Sequence, residues 1–127
     1  MNRTVLIVED DEVIQKLIEL RLKSLGHTVC GKVLTGEDAI VAARQLKPDI
    51  VVMDIQLKGP MDGIEAAGII RKHVPSKIIF LTGYSDDSLL QRAKAINPDG
   101  YILKPFRDDD IRVAFELACS HQPACTL

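Results

Sequence analysis

Four short apolar runs each end in a residue type that can do chemistry. Val5-Leu6-Ile7-Val8 leads into Glu9-Asp10-Asp11, and Ile50-Val51-Val52-Met53 leads into Asp54. Ile78-Ile79-Phe80-Leu81 leads into Thr82-Gly83, and Tyr101-Ile102-Leu103 leads into Lys104-Pro105. Brought together, these ends make a pocket of carboxylates, one hydroxyl and one ammonium. Glu9, Asp10 and Asp54 would repel one another there unless screened. A hard divalent cation with oxygen ligands removes that repulsion. Mg²⁺ takes one or two carboxylates and keeps waters or phosphate oxygens in its shell. No His or Cys accompanies the acids, which disfavours zinc. In such a pocket Asp54 can attack a phosphorus atom and carry an aspartyl phosphate. The metal and Lys104 would neutralise charge on the equatorial oxygens.

Each residue also has a plain reading. Acids after a first strand often serve only as helix N-caps, and that is the reading for Asp11 but not for Asp10. Asp54 alone could be a solvated acid, Thr82 a turn residue and Lys104 a surface lysine. Four matching strand ends make coincidence a poor explanation of all of them.

The surrounding pattern is that of a scaffold able to bring these ends together. Three of the runs are continuously apolar, as in strands covered on both faces. A mixed run, Val29 to Val33, reads as an edge strand. Between the runs, apolar residues recur at three- and four-residue intervals. Ile14, Leu17, Ile18, Leu22 and Leu25 form one helical stripe; Ala39, Ala42, Ala43 and Leu46 form a second. Ile64, Ala67, Ile70 and Val74 form a third; Leu89, Ala93 and Ile96, then Ile111, Ala114, Phe115 and Ala118, complete the set. Thr35 with Asp38 resembles a capping box, and Ser85 precedes the fourth helix. Gly26 is placed to end the first helix, and Pro48 and Pro75 mark stops after the second and third. The order is βαβαβαβαβα over residues 4 to about 120. This predicts a doubly wound α/β fold: a five-stranded parallel sheet with five helices and right-handed crossovers. In such folds ligands bind beyond the carboxyl ends of the strands, where the chemical residues fall.

The 127 residues suit one domain. Aromatics are 4% and Trp is absent, so the core must come from Ile, Leu, Val and Ala. Sixteen Lys+Arg against eighteen Asp+Glu give a net charge of −2, which argues against direct nucleic-acid binding. No apolar run approaches the roughly 18 residues that span a bilayer, and the N-terminus lacks a signal-peptide pattern. Cys30, Cys119 and Cys125 are odd in number with no CxxC pair, as expected of thiols in a reducing cytosol. Cys119, His121 and Cys125 lack the clustered spacing of a metal site. His27 and His73 fall away from the carboxyl edge, and His73 suits a helix C-terminus. A cytoplasmic location is expected.

The motifs resemble those of the receiver domain of two-component response regulators. They are Leu6-Ile7-Val8-Glu9-Asp10-Asp11-Glu12, Pro48-Asp49-Ile50-Val51-Val52-Met53-Asp54, Met61-Asp62-Gly63-Ile64-Glu65, Phe80-Leu81-Thr82-Gly83-Tyr84 and Gly100-Tyr101-Ile102-Leu103-Lys104-Pro105-Phe106. The resemblance implies a flavodoxin-like strand order of 2-1-3-4-5, with a receiver domain over 1–121 and a tail over 122–127. It implies Asp54 as phosphoacceptor, with Lys104 pairing with the phosphoryl oxygens. It implies Mg²⁺ as cofactor, held by Asp10, Asp54 and the backbone carbonyl of Gln56 directly and by Glu9 through water. Thr82 and Tyr101 match the family's switch pair, in which the hydroxyl moves toward the phosphoryl group and the ring turns inward. The Lys104-Pro105 peptide is expected to be cis.

The implied partners are a sensor histidine kinase or histidine phosphotransfer protein and a downstream protein target, with neither nucleic acid nor membrane bound directly. Phosphorylation-dependent dimerisation is left open. The domain would signal and not act as an enzyme, beyond its own phosphorylation and slow dephosphorylation. Output would run through the fourth helix, fifth strand and fifth helix, where Arg92, Lys94, Tyr101, Arg107 and Arg112 are candidates. Met1 just before the first strand favours a chain start; a receiver fragment of a larger regulator or hybrid kinase is the alternative.

Three features depart from the common pattern. Glu9 replaces the commoner Asp. The loop Gln56-Leu57-Lys58-Gly59-Pro60-Met61 is one residue longer than usual. Tyr84, two past Thr82, is bulky, and with uncharged Gln56 it implies slow loss of the phosphoryl group. Rival readings fit less well. A haloacid-dehalogenase-type Mg²⁺ phosphatase with an Asp nucleophile needs Asp-x-Asp after its first strand. An FMN carrier needs a Ser/Thr/Gly-rich loop where this chain is acidic, no GxGxxG serves a dinucleotide, and a pseudo-receiver usually lacks the phosphoacceptor or the acidic pair, both present here.

Overall fold

The computed structural model describes residues 2–83 and 87–120. The expected alternation is present, as β1 (Thr4–Val8), α1 (Glu12–Ser24), β2 (Thr28–Val33), α2 (Gly36–Leu46), β3 (Ile50–Asp54), α3 (Gly63–His73), β4 (Lys77–Thr82), α4 (Asp87–Ile96), β5 (Gly100–Leu103) and α5 (Asp108–Ser120). The strands form one parallel sheet in the order β2-β1-β3-β4-β5. β2 is an edge strand, as its mixed composition predicts, and it is mostly half-exposed. The central strands β1, β3 and β4 are almost wholly buried, which explains why their sequences run apolar without alternation.

Each strand feeds two cores because successive side chains point to opposite faces. Leu6, Val8, Val51, Met53, Ile78 and Phe80 face α2, α3 and α4. Val5, Ile7, Ile50, Val52, Ile79, Leu81 and Ile102 face α1 and α5. Ala39, Ala43, Ala66, Ala67 and Ala93 let the first group of helices approach closely, so few aromatics are needed to fill the space.

The helix ends explain how the strand ends are aimed. Asp11 caps α1, its Oδ1 accepting from the backbone N–H of Val13 and Ile14. Gly26, at φ +91°, ends α1 in a Schellman arrangement: its N–H donates to Lys23 O and that of His27 to Leu22 O. Thr35 caps α2 by accepting from Asp38 N–H, but the bond is one-way. Asp38 is one methylene short of the Glu that closes a capping box. A reciprocal box stands instead on α3, between Asp62 and Glu65. Pro48 and Pro75 follow α2 and α3 as expected, while Ser85 and Tyr84 lie outside the described residues. Cys30 and Cys119 are half-buried and not disulfide-bonded; Cys125 and His121 lie outside the described residues. No described helix is long and apolar enough to cross a membrane.

Candidate functional site

At the carboxyl edge of the sheet the four separate strand ends meet. Glu9, Asp10, Asp54 and Lys104 line one cleft of about 360 Å³, with Gln56 and Lys58 on its wall. One carboxylate oxygen from each of Glu9, Asp10 and Asp54 lies within 4.8 Å of the others. Glu9 and Asp54 are buried, at 1% and 5% exposure, whereas Asp10 is half-exposed at the mouth. Burial follows from position. Glu9 follows β1 and Asp54 ends β3, two neighbouring strands inside the sheet, and the N-terminus of α3 packs over the end of β3.

The polar contacts inside the cleft are mutual. Lys104 Nζ lies 2.9 Å from Glu9 Oε1 and 3.1 Å from Asp54 Oδ2. The second oxygen of Glu9 accepts from Asp11 N–H at 3.0 Å. The second oxygen of Asp54 accepts from Gln56 N–H at 3.0 Å. Asp10 Oδ2 accepts from Lys58 N–H at 3.0 Å, so the longer loop closes onto the acidic pair. Burial, opposed by Lys104 and reinforced by the charge of Asp54, raises Glu9 to about 7. Burial also disfavours the Lys104 ammonium, but Glu9 and Asp54 outweigh it and hold that group above its usual value.

The cleft fits a hard cation. The candidate ligand atoms of Glu9, Asp10 and Asp54 are all oxygen, and Lys104 pairs with two of these three carboxylates. Glu9 Oε1 meets Lys104 as an ion pair without a directed hydrogen bond, leaving a buried acceptor open. Gln56, whose backbone carbonyl was the fourth expected oxygen, stands on the same wall.

The remaining expected residues are close by. Thr82 ends β4 beside Asp54's strand, buried at 6%, and its hydroxyl donates to the Gly83 carbonyl. Tyr101 sits on β5, 39% exposed, its ring 6.3 Å from that of Phe80. The Lys104-Pro105 peptide is cis. Tyr101 and Lys104 also line a second cleft of about 600 Å³ between β5 and α5, with Leu103, Val113 and Leu117. Lys104 therefore touches both clefts. Two of the candidate output arginines are already engaged: Arg92 pairs with Asp62 at 3.0 Å, and Arg112 with Asp109 and Glu116 on its own helix. His27 is used structurally, accepting from Arg3 N–H and packing on Phe115.

Sequence reasoning missed three contributors. Gln15 is buried, and its amide bridges the carbonyls of Glu9 and Val33, holding the end of β1 against β2. Its place on the inner face of α1, among apolar neighbours, was the available signal. Lys58 contributes a backbone N–H, for which side-chain identity gives no signal. Gly63 was legible only as part of a motif. A Cβ there would stand 1.9 Å from Asp54 O and 2.8 Å from Asp54 C, so α3 begins directly on the Asp54 peptide.

The sequence matches the model of the response regulator receiver domain over residues 5–116. The chain belongs to the response regulator receiver domain family. Among curated relatives, the receiver is 36% identical over 118 residues to the transcriptional regulatory protein PdtaR of Mycobacterium tuberculosis, covering 93% of this chain and 57% of that one. It is 38% identical over 112 residues to the response regulator protein VraR of Staphylococcus saprophyticus, covering 87% and 53%. The chain thus spans about half the length of these relatives. Among solved structures, the signal receiver domain of a modulated diguanylate cyclase from Desulfovibrio desulfuricans G20 superposes with a TM-score of 0.89 at 38% identity, covering 94% of this chain and 95% of that one. The receiver domain of AraT, a response regulator from Geobacillus stearothermophilus, gives 0.83 at 27% identity, covering 94% and 95%.

Proposed function

We propose that this receiver takes a phosphoryl group onto Asp54 from a histidine kinase or histidine phosphotransfer protein, and that the modification changes its α4-β5-α5 surface to control a protein target. The observation that carries the reading is Lys104, which bridges Glu9 and Asp54 inside a cleft of three carboxylates.

Asp10, Asp54, the Gln56 carbonyl and, through water, Glu9 would hold Mg²⁺. Bound there, the ion supplies positive charge against the phosphoryl oxygens. Asp54 is fixed for attack by Gln56 N–H on one oxygen and Lys104 on the other. One carboxylate oxygen bonds to phosphorus, the bond from phosphorus to the donor imidazole nitrogen breaks, and the imidazole leaves. Lys104 then follows the charge from the carboxylate to the new phosphoryl oxygens. Thr82 gives up its hydrogen bond to Gly83 and donates to the phosphoryl group. The space it vacates lies beside Phe80 and Tyr101, and the half-exposed ring turns inward. A local charge change thereby biases the surface between β5 and α5.

The test is intact mass after incubation with acetyl phosphate, with and without Mg²⁺. A single Mg²⁺-dependent phosphoryl adduct is expected on the wild type and none on Asp54→Asn. No adduct on folded wild-type protein would favour a pseudo-receiver instead.

A further inference from the structure

Lys104 is held between two acids whose other oxygens are already taken. Its Nζ is 2.9 Å from Glu9 and 3.1 Å from Asp54, while Asp11 N–H and Gln56 N–H occupy the far oxygens. Glu9 is 1% exposed, and among the described residues Lys104 is the one cation that reaches it. The reach depends on the length of the acid. An Asp at position 9 would draw its carboxylate back by about one carbon–carbon bond, roughly 1.5 Å. That takes the contact beyond the roughly 4 Å of an ion pair.

We infer that Glu9 is the resting partner of Lys104, and that the ammonium and a divalent cation compete for it. This rests on the proposed metal-dependent phosphoacceptor. Two cations on one buried carboxylate repel each other, so each weakens the other's hold, and the weakening is reciprocal. The extra methylene of Glu9 therefore lowers the cleft's affinity for Mg²⁺. It also parks Lys104 on the side of the cleft away from the Asp54 oxygen that Gln56 holds, until the cation displaces it. If Glu9 served the metal alone, the effect of changing it would not depend on Lys104.

The experiment is a cycle of four proteins of 127 residues: wild type, Glu9→Asp, Lys104→Met and the double variant. Each is titrated with MgCl₂ by calorimetry, with circular dichroism to show that each is folded. Glu9→Asp is expected to bind Mg²⁺ about three- to tenfold more tightly when Lys104 is present, and to gain nothing in the Lys104→Met background. A second readout needs no Lys104 variant. The ¹³C shift of the Lys104 carbon bonded to Nζ should move on Mg²⁺ addition in the wild type and stay in place in Glu9→Asp. Saturable Mg²⁺ binding with Glu9→Asp equal to or weaker than wild type, or with the same gain in both backgrounds, would overturn the competition alone. No saturable binding in any of the four would overturn the metal reading beneath it.

Discussion

Glu9 carries an electrostatic cost that shows in the protein's own stability. Its carboxyl is raised from 4.5 to about 7 in the fold, chiefly by burial. Between those values the folded state holds a proton that the unfolded state has lost, so stability falls as pH rises through the window. Without metal, the loss from pH 4.5 to pH 7.5 is expected to be on the order of 3 kcal/mol. Glu9→Gln should flatten that slope, matching the wild type at low pH and exceeding it at pH 7.5 in urea unfolding. A wild type whose stability is flat or rising over this window, with Glu9→Gln less stable throughout, would show that Glu9 does not titrate in this way. The types and strand-end positions of Glu9, Asp10, Asp54, Thr82 and Lys104 were readable because strand ends are the one place where a parallel sheet gathers distant residues. The sharing of Lys104 between two acids was not readable. It depends on one methylene and on side-chain angles that no spacing encodes.

At the scale of elements, α3 is the piece that fixes Asp54, the proposed phosphoacceptor. Its first residue lies against the Asp54 carbonyl, and Gly63 N–H donates to Ile55 O at 3.0 Å. Its N-cap, Asp62, is closed by Glu65 and gripped from α4 by Arg92. Gly63→Ala must push a methyl into backbone, where no side chain can yield. It is expected to destabilise by at least the about 1–3 kcal/mol typical of overpacking, and to slow labelling by acetyl phosphate. Asp62→Ala should cost about 1 kcal/mol through the lost cap. An unchanged melting temperature in Gly63→Ala would mean that α3 can slide off the Asp54 peptide freely. Elements themselves were legible because β-branched runs and helical stripes alternate cleanly. The reciprocal capping box lies on α3, where Asp62 and Glu65 have both the spacing and the chain length; Thr35 with Asp38 has the spacing without the length.

For the whole molecule, a sheet buried on both sides makes the site a product of two cores. Phe80 is fully buried on the α2-α3-α4 side, and its ring neighbours Tyr101, which borders the cleft between β5 and α5. Phe80→Ala should cost about 3–5 kcal/mol, lowering the melting temperature by on the order of 10 °C. It should also loosen the ring of Tyr101, seen as faster ring flipping by NMR; an unaffected ring would separate the core from the proposed switch.

The central claim, that Asp54 is where the phosphoryl group lands, is tested most directly by chemical trapping. Protein incubated with acetyl phosphate and Mg²⁺ is treated with borohydride, which reduces an acyl phosphate to an alcohol, and then mapped by peptide mass spectrometry. Homoserine at position 54, absent when Mg²⁺ or acetyl phosphate is omitted, is the predicted result. Reduction at another acid, or at none while the intact protein carries the adduct, would contradict it.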